Sequence, residues 1–312
     1  MLNRRGAWTK LGRLLHADPA RAWMATFTGP SFAMPRADGT AVDLFVTGRD
    51  AENRSRIGVV TLSADLDGVV AISDAPVFDL GTLGAFDENG VSYPWIVAAD
   101  GTLFMYYVGW VPTVLTPFQN HLGLAIRRDG EAWRRYSRAP ILERTDDEFL
   151  STGSAAVLRE GVLWRMWYTC FREWGAAADN PKHVYTIKYA ESSNGVEWRR
   201  RNQVCIDVAS PEEYAIGRPS VLVDGDLYHM WYSYRGGAYR IGYAWSSDGV
   251  RWTRRDDLAG IDVSSSGWDS ESICYGHVFR WKSELYMVYC GNHYGRDGLG
   301  LARWRQTRVD AQ

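Results

Sequence analysis

The chain is poor in several things, and each shortage removes a class of function. Its 312 residues include only 4 cysteines, Cys170, Cys205, Cys274 and Cys290, with no CxxC or CxxH step. That rules out a disulfide scaffold or thiolate metal motif, so reduced packing thiols and a cytoplasmic location are expected. The histidines lack HxH or HExxH spacing, so no metal is expected, and His121, His183, His229 and His277 read as packing or surface residues. No other cofactor is expected. Charge of neither sign dominates: 35 Lys and Arg against 37 Asp and Glu leave a net charge of -2, no footprint for a nucleic acid or an anionic membrane. No apolar run approaches a membrane span, and residues 1–30 lack the h-region of a signal peptide. Helix-forming stretches are scarce as well; only Ala7–Pro19 has a helical reading, with the alternatives of a rim segment or a closing strand.

Turn residues and aromatics are plentiful, with 31 Gly, 15 Trp and 17 Tyr. They are arranged in a repeat. Between Glu212 and Arg255, short alternating runs end at Asp224-Gly225, Gly236-Gly237 and Asp248-Gly249, the pattern of strands joined by tight hairpins. A Met-x-Tyr step recurs at Met105/Tyr107, Met166/Tyr168, Met230/Tyr232 and Met287/Tyr289, at separations of 61, 64 and 57 residues. An [Asp/Asn]-Gly-x-x-Trp step recurs at Asp129, Asn194 and Asp248, 65 and 54 residues apart. Two independent markers with one period predict an all-β, five-bladed β-propeller with four-stranded antiparallel blades around a central channel. One domain spans 1–312, with blades near 24–77, 86–141, 148–206, 212–261 and 268–304. The last lacks a fourth strand, for which the N-terminus is the candidate. The basic runs Arg134-Arg135, Arg199–Arg201 and Arg254-Arg255 follow the Trp of three blades and read as solvated outer strands.

Function in such a ring is expected where the innermost strands begin. Just before them stand Asp87-Glu88, Asp147-Glu148, Glu212-Glu213 and Asp269-Ser270-Glu271. Aromatics lie nearby: Tyr93, Trp95, Trp110, Trp174, Tyr234, Trp268 and Tyr275. Carboxylates supply acid, base or nucleophile and aromatic faces stack on sugar C–H surfaces, so the pattern predicts a carbohydrate or other small-molecule site. Glu271 is the candidate acid, its pKa expected to be raised by the Trp268 indole and by Asp269. Glu213 is the candidate base or electrostatic partner, with Arg218 expected either to hold it ionised or to clamp a substrate oxygen or carboxylate, and Asp87 or Glu88 is the third acid. Arg49-Asp50 and Asn292-His293, at matching strand exits, are candidates for sugar hydroxyls, with Arg235 beside Tyr234.

The repeat and the acids at blade starts resemble the superfamily of five-bladed propeller glycoside hydrolases: arabinanases, invertases and mannoside phosphorylases. The resemblance covers nearly the whole chain in architecture and implies a sugar-acting enzyme. Its catalytic motifs are incomplete here. The first blade opens Thr26-Phe27-Thr28-Gly29-Pro30-Ser31, without the acid that invertases and arabinanases use, and the invertase Glu-Cys pair is absent. Arg49-Asp50-Ala51 departs from their Arg-Asp-Pro element. The resemblance is to a divergent branch, marked by Arg49-Asp-x-x-Asn-Arg-Ser55, Gly90-x-x-Tyr-Pro94, Glu213-x-x-x-x-Arg-Pro219 and Trp268-Asp-Ser-Glu271. Three functions follow as expectations: a glycosidase acting on a small sugar or glycoconjugate; a biosynthetic tailoring enzyme with lyase, isomerase or cyclase chemistry; and a non-catalytic carbohydrate-binding propeller.

Overall fold

A computed structural model of the chain describes residues 6–175 and 183–306. Apart from three short 3-10 turns, the regular structure of the described residues consists of strands. In chain order these are β1 (Gly6–Leu15), β2 (Phe27–Pro35), β3 (Ala41–Arg49), β4 (Ser55–Ser63), β5 (Val69–Ile72), β6 (Gly90–Ala99), β7 (Thr102–Pro112), β8 (Phe118–Arg128), β9 (Arg134–Arg135) and β10 (Thr152–Glu160). They continue with β11 (Leu163–Trp174), β12 (His183–Ser192), β13 (Arg199–Ile206), β14 (Ala215–Asp224), β15 (Leu227–Arg235), β16 (Tyr239–Ser246), β17 (Thr253–Arg254), β18 (Cys274–Trp281), β19 (Glu284–Cys290) and β20 (Leu299–Gln306). No described helix is long and apolar enough to cross a membrane.

The strands pair as antiparallel meanders: β2 to β5, β6 to β9, β10 to β13, β14 to β17, and β18 to β20. The last is completed by β1, which pairs with β20 from Gly6↔Gln306 to Leu15↔Leu299. Most of Ala7–Pro19 is therefore strand, not helix. Its amide groups satisfy an edge that β20 would otherwise expose, and that tertiary demand overrides local propensity. Hairpin turns supply the tight connections; Asp100 and Gly101 both have positive φ (50° and 71°), as a type I′ turn requires. The first strands β2, β6, β10, β14 and β18 lie side by side in that order, and β18 also packs against β2.

The Met-x-Tyr repeat holds neighbouring meanders together. Met105, Met166, Met230 and Met287 are fully buried. The middle residue points to the other face and reaches the following meander: Tyr106 Oη donates to Gly195 O (2.7 Å) and Trp167 Nε1 to Gly249 O (2.7 Å). Those acceptors are the glycines of the [Asp/Asn]-Gly-x-x-Trp turns. The turns are shaped by side chains such as Asp248, whose Oδ1 accepts the Val250 and Arg251 amides at 2.8 Å. The two sequence markers are thus the two halves of one contact.

The tyrosine of each repeat meets an acid. Tyr107 donates to Asp87 (2.9 Å), Tyr168 to Glu148 (2.8 Å), Tyr232 to Asp256 (2.5 Å) and Tyr289 to Asp269 (2.9 Å). Each acid is also paired with a cation of the outermost strand: Arg135 (2.7 Å), Arg200 (2.8 Å), Arg254 (2.7 Å) and, from β1, Lys10 (2.7 Å). Burial, and then the adjacent carboxylate, push all four phenols well above their ordinary value, so each stays a donor. This corrects two expectations. The basic runs are not merely solvated, because one member of each turns inward. Of the acids before the first strands, Asp87, Glu148 and Asp269 do not lie free around an axis but are taken up by these phenol–carboxylate–cation braces, while in the fourth meander Asp256, after β17, fills that place.

Candidate functional site

The first strand of every meander carries one extra residue at the same step. The register slips between Thr28 and Ser31, Ser92 and Trp95, Thr152 and Ala155, Gly217 and Ser220, and Cys274 and His277. Such bulges turn a side chain out of the regular alternation. In three of them a non-glycine residue has left-handed backbone: Tyr93 (φ 53°), Arg218 (φ 52°) and Tyr275 (φ 56°). Hydroxyls of the preceding meanders hold these residues in place. Thr47 Oγ1 accepts the Tyr93 amide (3.2 Å), Ser154 Oγ that of Arg218 (3.1 Å), and Ser233 Oγ that of Tyr275 (2.7 Å). Backbone strain of about 1–3 kcal/mol per residue, held by dedicated partners, clusters at functional sites.

The three side chains gather tyrosines around them. The Tyr93 and Tyr275 rings meet edge-on at 5.2 Å, Tyr239 lies 5.6 Å from Tyr275, and the Tyr239 and Tyr185 hydroxyls are hydrogen-bonded. Arg235 packs over Tyr239 and Tyr214 (5.4 Å each) and donates to the Tyr294 hydroxyl (2.7 Å). Tyr294 follows His293, and both have positive φ. Arg49 stacks on Phe27 (4.8 Å) and Trp110 (5.6 Å), with Asn53 accepting from Nη1 (2.8 Å). Arg218 is 1% exposed and donates to Ser31 O (2.6 Å), with its guanidinium 5.9 Å from the Tyr93 ring. Burial lowers its pKa to about 10, and the Tyr93 and Cys290 groups oppose that shift. Burial pushes Tyr93, Tyr185, Tyr239 and Tyr275 well above the ordinary phenol value; the charged and titratable neighbours acting on them are other tyrosines, cysteines and Arg235.

Six of the residues expected at the site therefore meet here: Tyr93, Arg218 and Tyr275 at the bulges, Arg235 in its tyrosine cage, and Arg49 against Trp110. Several others lie elsewhere. Asp87 is 0% exposed in its brace. Glu88 folds back onto the Gly84 amide. Glu213 is not held by Arg218 but clamped by Arg254 through two hydrogen bonds of 2.8 Å. Asp50 is enclosed by Arg54 (2.9 Å) and Arg56 (2.6 Å), which occupy the oxygens expected to receive sugar hydroxyls. Tyr234 packs on Arg254 at 5.3 Å. Trp268 stacks on Tyr289 at 5.5 Å, wedged so tightly that a Cβ on Gly291 or Gly300 would lie 2.4 or 2.3 Å from its indole. Asp269 is buried against Lys10. The indole and carboxylate expected to tune Glu271 are thus both engaged in packing.

Glu271 itself is 69% exposed, at the edge of the cluster. Its carbonyl and that of Tyr239 both accept from Arg240 Nη1 (3.0 and 2.8 Å). Buried Asn292 accepts the Glu271 and Ser272 amides (2.9 and 3.1 Å), so it shapes the loop instead of facing a ligand. His293 stands between two carboxylates, with Nε2 3.9 Å from Glu271 and Nδ1 3.2 Å from Asp297. Asp297, Tyr185, Tyr214, Tyr239 and Tyr294 were not anticipated from sequence. The third-strand starts that place Tyr185 and Tyr239 carry no local motif, and only the ring of first strands brings them to Tyr93 and Tyr275. Among the described residues no three His, Cys, Asp or Glu side chains gather closely enough to hold a metal ion.

No protein-family model matches the chain. Among solved structures it is similar to a glycoside hydrolase (TM-score 0.76, 16% identity, 99% of this chain and 95% of that one). It is also similar to a glycosyl hydrolase from Bacteroides ovatus (TM-score 0.72, 15% identity, 96% and 94%). A third match is a structure from work on the mannoside phosphorylase family, which contains glycoside hydrolases that target β-1,2-mannosidic linkages in Candida mannan (TM-score 0.72, 16% identity, 96% and 94%). These likenesses show the fold, that of propeller glycoside hydrolases. In sequence it is similar to the uncharacterized proteins Rv1502 and MT1551 from two strains of Mycobacterium tuberculosis, each 36% identical over 298 residues, 95% of this chain and 98% of theirs. The chain belongs to the family of Mycobacterium tuberculosis Rv1502, a divergent family built on the propeller fold of glycoside hydrolases.

Proposed function

We propose that the chain is a glycosidase-like enzyme acting on a carbohydrate, with its meanders forming the five blades of one closed propeller. The cyclic order of the first strands and the clasp of β1 on β20 support that ring. The observation that carries the functional reading is the matched set of bulges. Every first strand is bent at the same step, and three of them hold Tyr93, Arg218 and Tyr275 in strained conformations beside a cluster of tyrosines. Tyrosine rings offer faces for sugar C–H surfaces and, being protonated, hydroxyl donors for sugar oxygens. Glu271 is the general acid or base at the rim. His293, oriented by Asp297, relays the proton, and movement of about 1 Å closes the 3.9 Å gap to hydrogen-bond distance.

One observation favours a second reading, a carbohydrate-binding or non-hydrolytic propeller: Asp87, Glu148, Glu213 and Asp269 are all paired with cations, so the tyrosine cluster is not ringed by free carboxylates. One experiment separates the two. The purified chain is incubated with a panel of oligosaccharides and aryl glycosides, product release is followed, and binding is read by thermal shift. Turnover by the wild type that Glu271→Gln abolishes supports the enzyme. Binding without turnover supports the second reading, and neither would overturn both.

A further inference from the structure

Two groups of arginines contrast. Those on outer strands, Arg135, Arg200 and Arg254, are matched to buried acids. Arg218 at its bulge, and Arg49 and Arg235 at the ends of the second strands β3 and β15, are not. Arg49, Arg218 and Arg235 form no ion pair with a carboxylate among the described residues, and the groups that raise their pKa values are tyrosines and Cys290. Two of them hold buried donors with nothing to bond: Nε of Arg49 and Nε of Arg218 have no hydrogen-bond partner. Arg218 is 1% exposed. A guanidinium out of water without a counter-ion is costly, and the chain has no shortage of acids with which to neutralise it.

The three cations share one neighbourhood. Arg218 lies under Tyr93. Tyr93 and Tyr275 are the groups that act on Arg49. Tyr275 touches Tyr239, on which Arg235 packs. A ligand reaching the tyrosine cluster therefore meets three positive charges and neutral phenol donors. We infer that the substrate carries an oxyanion, a carboxylate or phosphate group on the sugar, which docks between Arg49 and Arg235 while buried Arg218 supplies charge beneath it. The inference rests on the carbohydrate reading above and narrows it to acidic or phosphorylated sugars. Guanidinium groups suit this task because their planar donor fork matches both oxyanions.

The test compares wild type, Arg235→Gln and Arg235→Lys by calorimetric titration and thermal shift, with glucose, glucuronate, glucose 6-phosphate and inorganic phosphate at constant ionic strength. Losing charge-assisted hydrogen bonds weakens binding on the order of ten- to a hundredfold. The expected result is that the anionic probes raise the melting temperature where glucose does not, that Arg235→Gln loses this affinity by that factor, and that Arg235→Lys restores part of it. The stronger of glucuronate and glucose 6-phosphate identifies the oxyanion. General stabilisation by excluded phosphate is equal in all variants and cancels in the comparison. Glucose binding as tightly as the anions, with Arg235→Gln unaffected, overturns the anion inference but leaves the carbohydrate reading standing. Inorganic phosphate binding in an Arg235-dependent way, with no gain from either sugar acid, supports the anion site and counts against the carbohydrate reading. No Arg235-dependent response to any anionic probe overturns the inference.

Discussion

His277 offers a direct test of the packing described for the first strands. It lies in β18, 3% exposed, with its ring 4.4 Å from Phe32, 5.2 Å from Trp95 and 6.2 Å from Phe279. Neither ring nitrogen has a hydrogen-bond partner of good geometry, although the Ala33 backbone is close enough to act on the ring. These side chains line a cavity of about 420 Å³, together with Val157 and Val221 from the intervening first strands. Burial lowers the imidazole pKa to about 3; the Arg218 charge adds to the shift and the Ala33 backbone opposes it. The folded pKa is thus depressed below the unfolded value of about 6.5, so the unfolded chain binds the extra proton as pH falls. Stability is full above about 6.5 and is lost progressively toward about 3. At pH 5 the loss is about 1.5 × 1.36, or roughly 2 kcal/mol, from this residue. His277→Phe keeps the ring stack and removes the unpartnered polar atoms. Urea unfolding of both proteins at pH 7 and pH 5 is the assay. The variant is expected to match or exceed the wild type at pH 7 and to show a pH 7-to-5 loss smaller by about 2 kcal/mol. His121 and His229, both lowered to about 4 by burial, remain in both proteins and cancel. Equal losses in the two proteins would refute the reasoning, because they would mean that His277 titrates as though solvated.

Three further perturbations probe other parts of the structure. Glu271→Gln is expected to abolish turnover without moving the melting temperature, since the carboxylate is exposed and its backbone carries the loop contacts; unchanged activity removes Glu271 from the mechanism. Asp269→Ala removes the counter-ion of Lys10, which keeps only Ser264 as acceptor, and the acceptor of the Tyr289 hydroxyl, and is expected to cost about 3–5 kcal/mol, whereas Tyr289→Phe costs about 1.5–3 kcal/mol. Equal costs, measured by denaturant unfolding, would show that the cation contributes nothing to the brace. Trp231→Ala empties a site 1% exposed between Trp8, Tyr243 and Trp304, with an expected cost of about 3–5 kcal/mol; an unchanged melting temperature would contradict its burial.

The strand repeat was legible because it is local. Met-x-Tyr and [Asp/Asn]-Gly-x-x-Trp mark a buried strand and the turn that follows the next strand, and alternation and turn chemistry act over a few residues. The last meander also read as one strand short, and β1 (Gly6–Leu15) pairs with β20 to complete it. Acids before each first strand were visible too, at Asp87, Glu148, Glu213 and Asp269. What they do was not. Each is neutralised by a cation 41 to 259 residues away, as in Glu213–Arg254 and Lys10–Asp269, and no local pattern distinguishes a braced carboxylate from one facing a ligand.

By itself, then, the sequence determined the all-β class, the repeating meander and the positions of turns, because hydrogen-bonding period and backbone preference are properties of neighbouring residues. Only the tertiary structure decided which charges remain unpaired. Bringing the meanders side by side paired Asp87, Glu148, Glu213 and Asp269 with cations and left Arg49, Arg218 and Arg235 without a carboxylate beside the tyrosines. Whether a charge is satisfied depends on groups brought together across the whole chain.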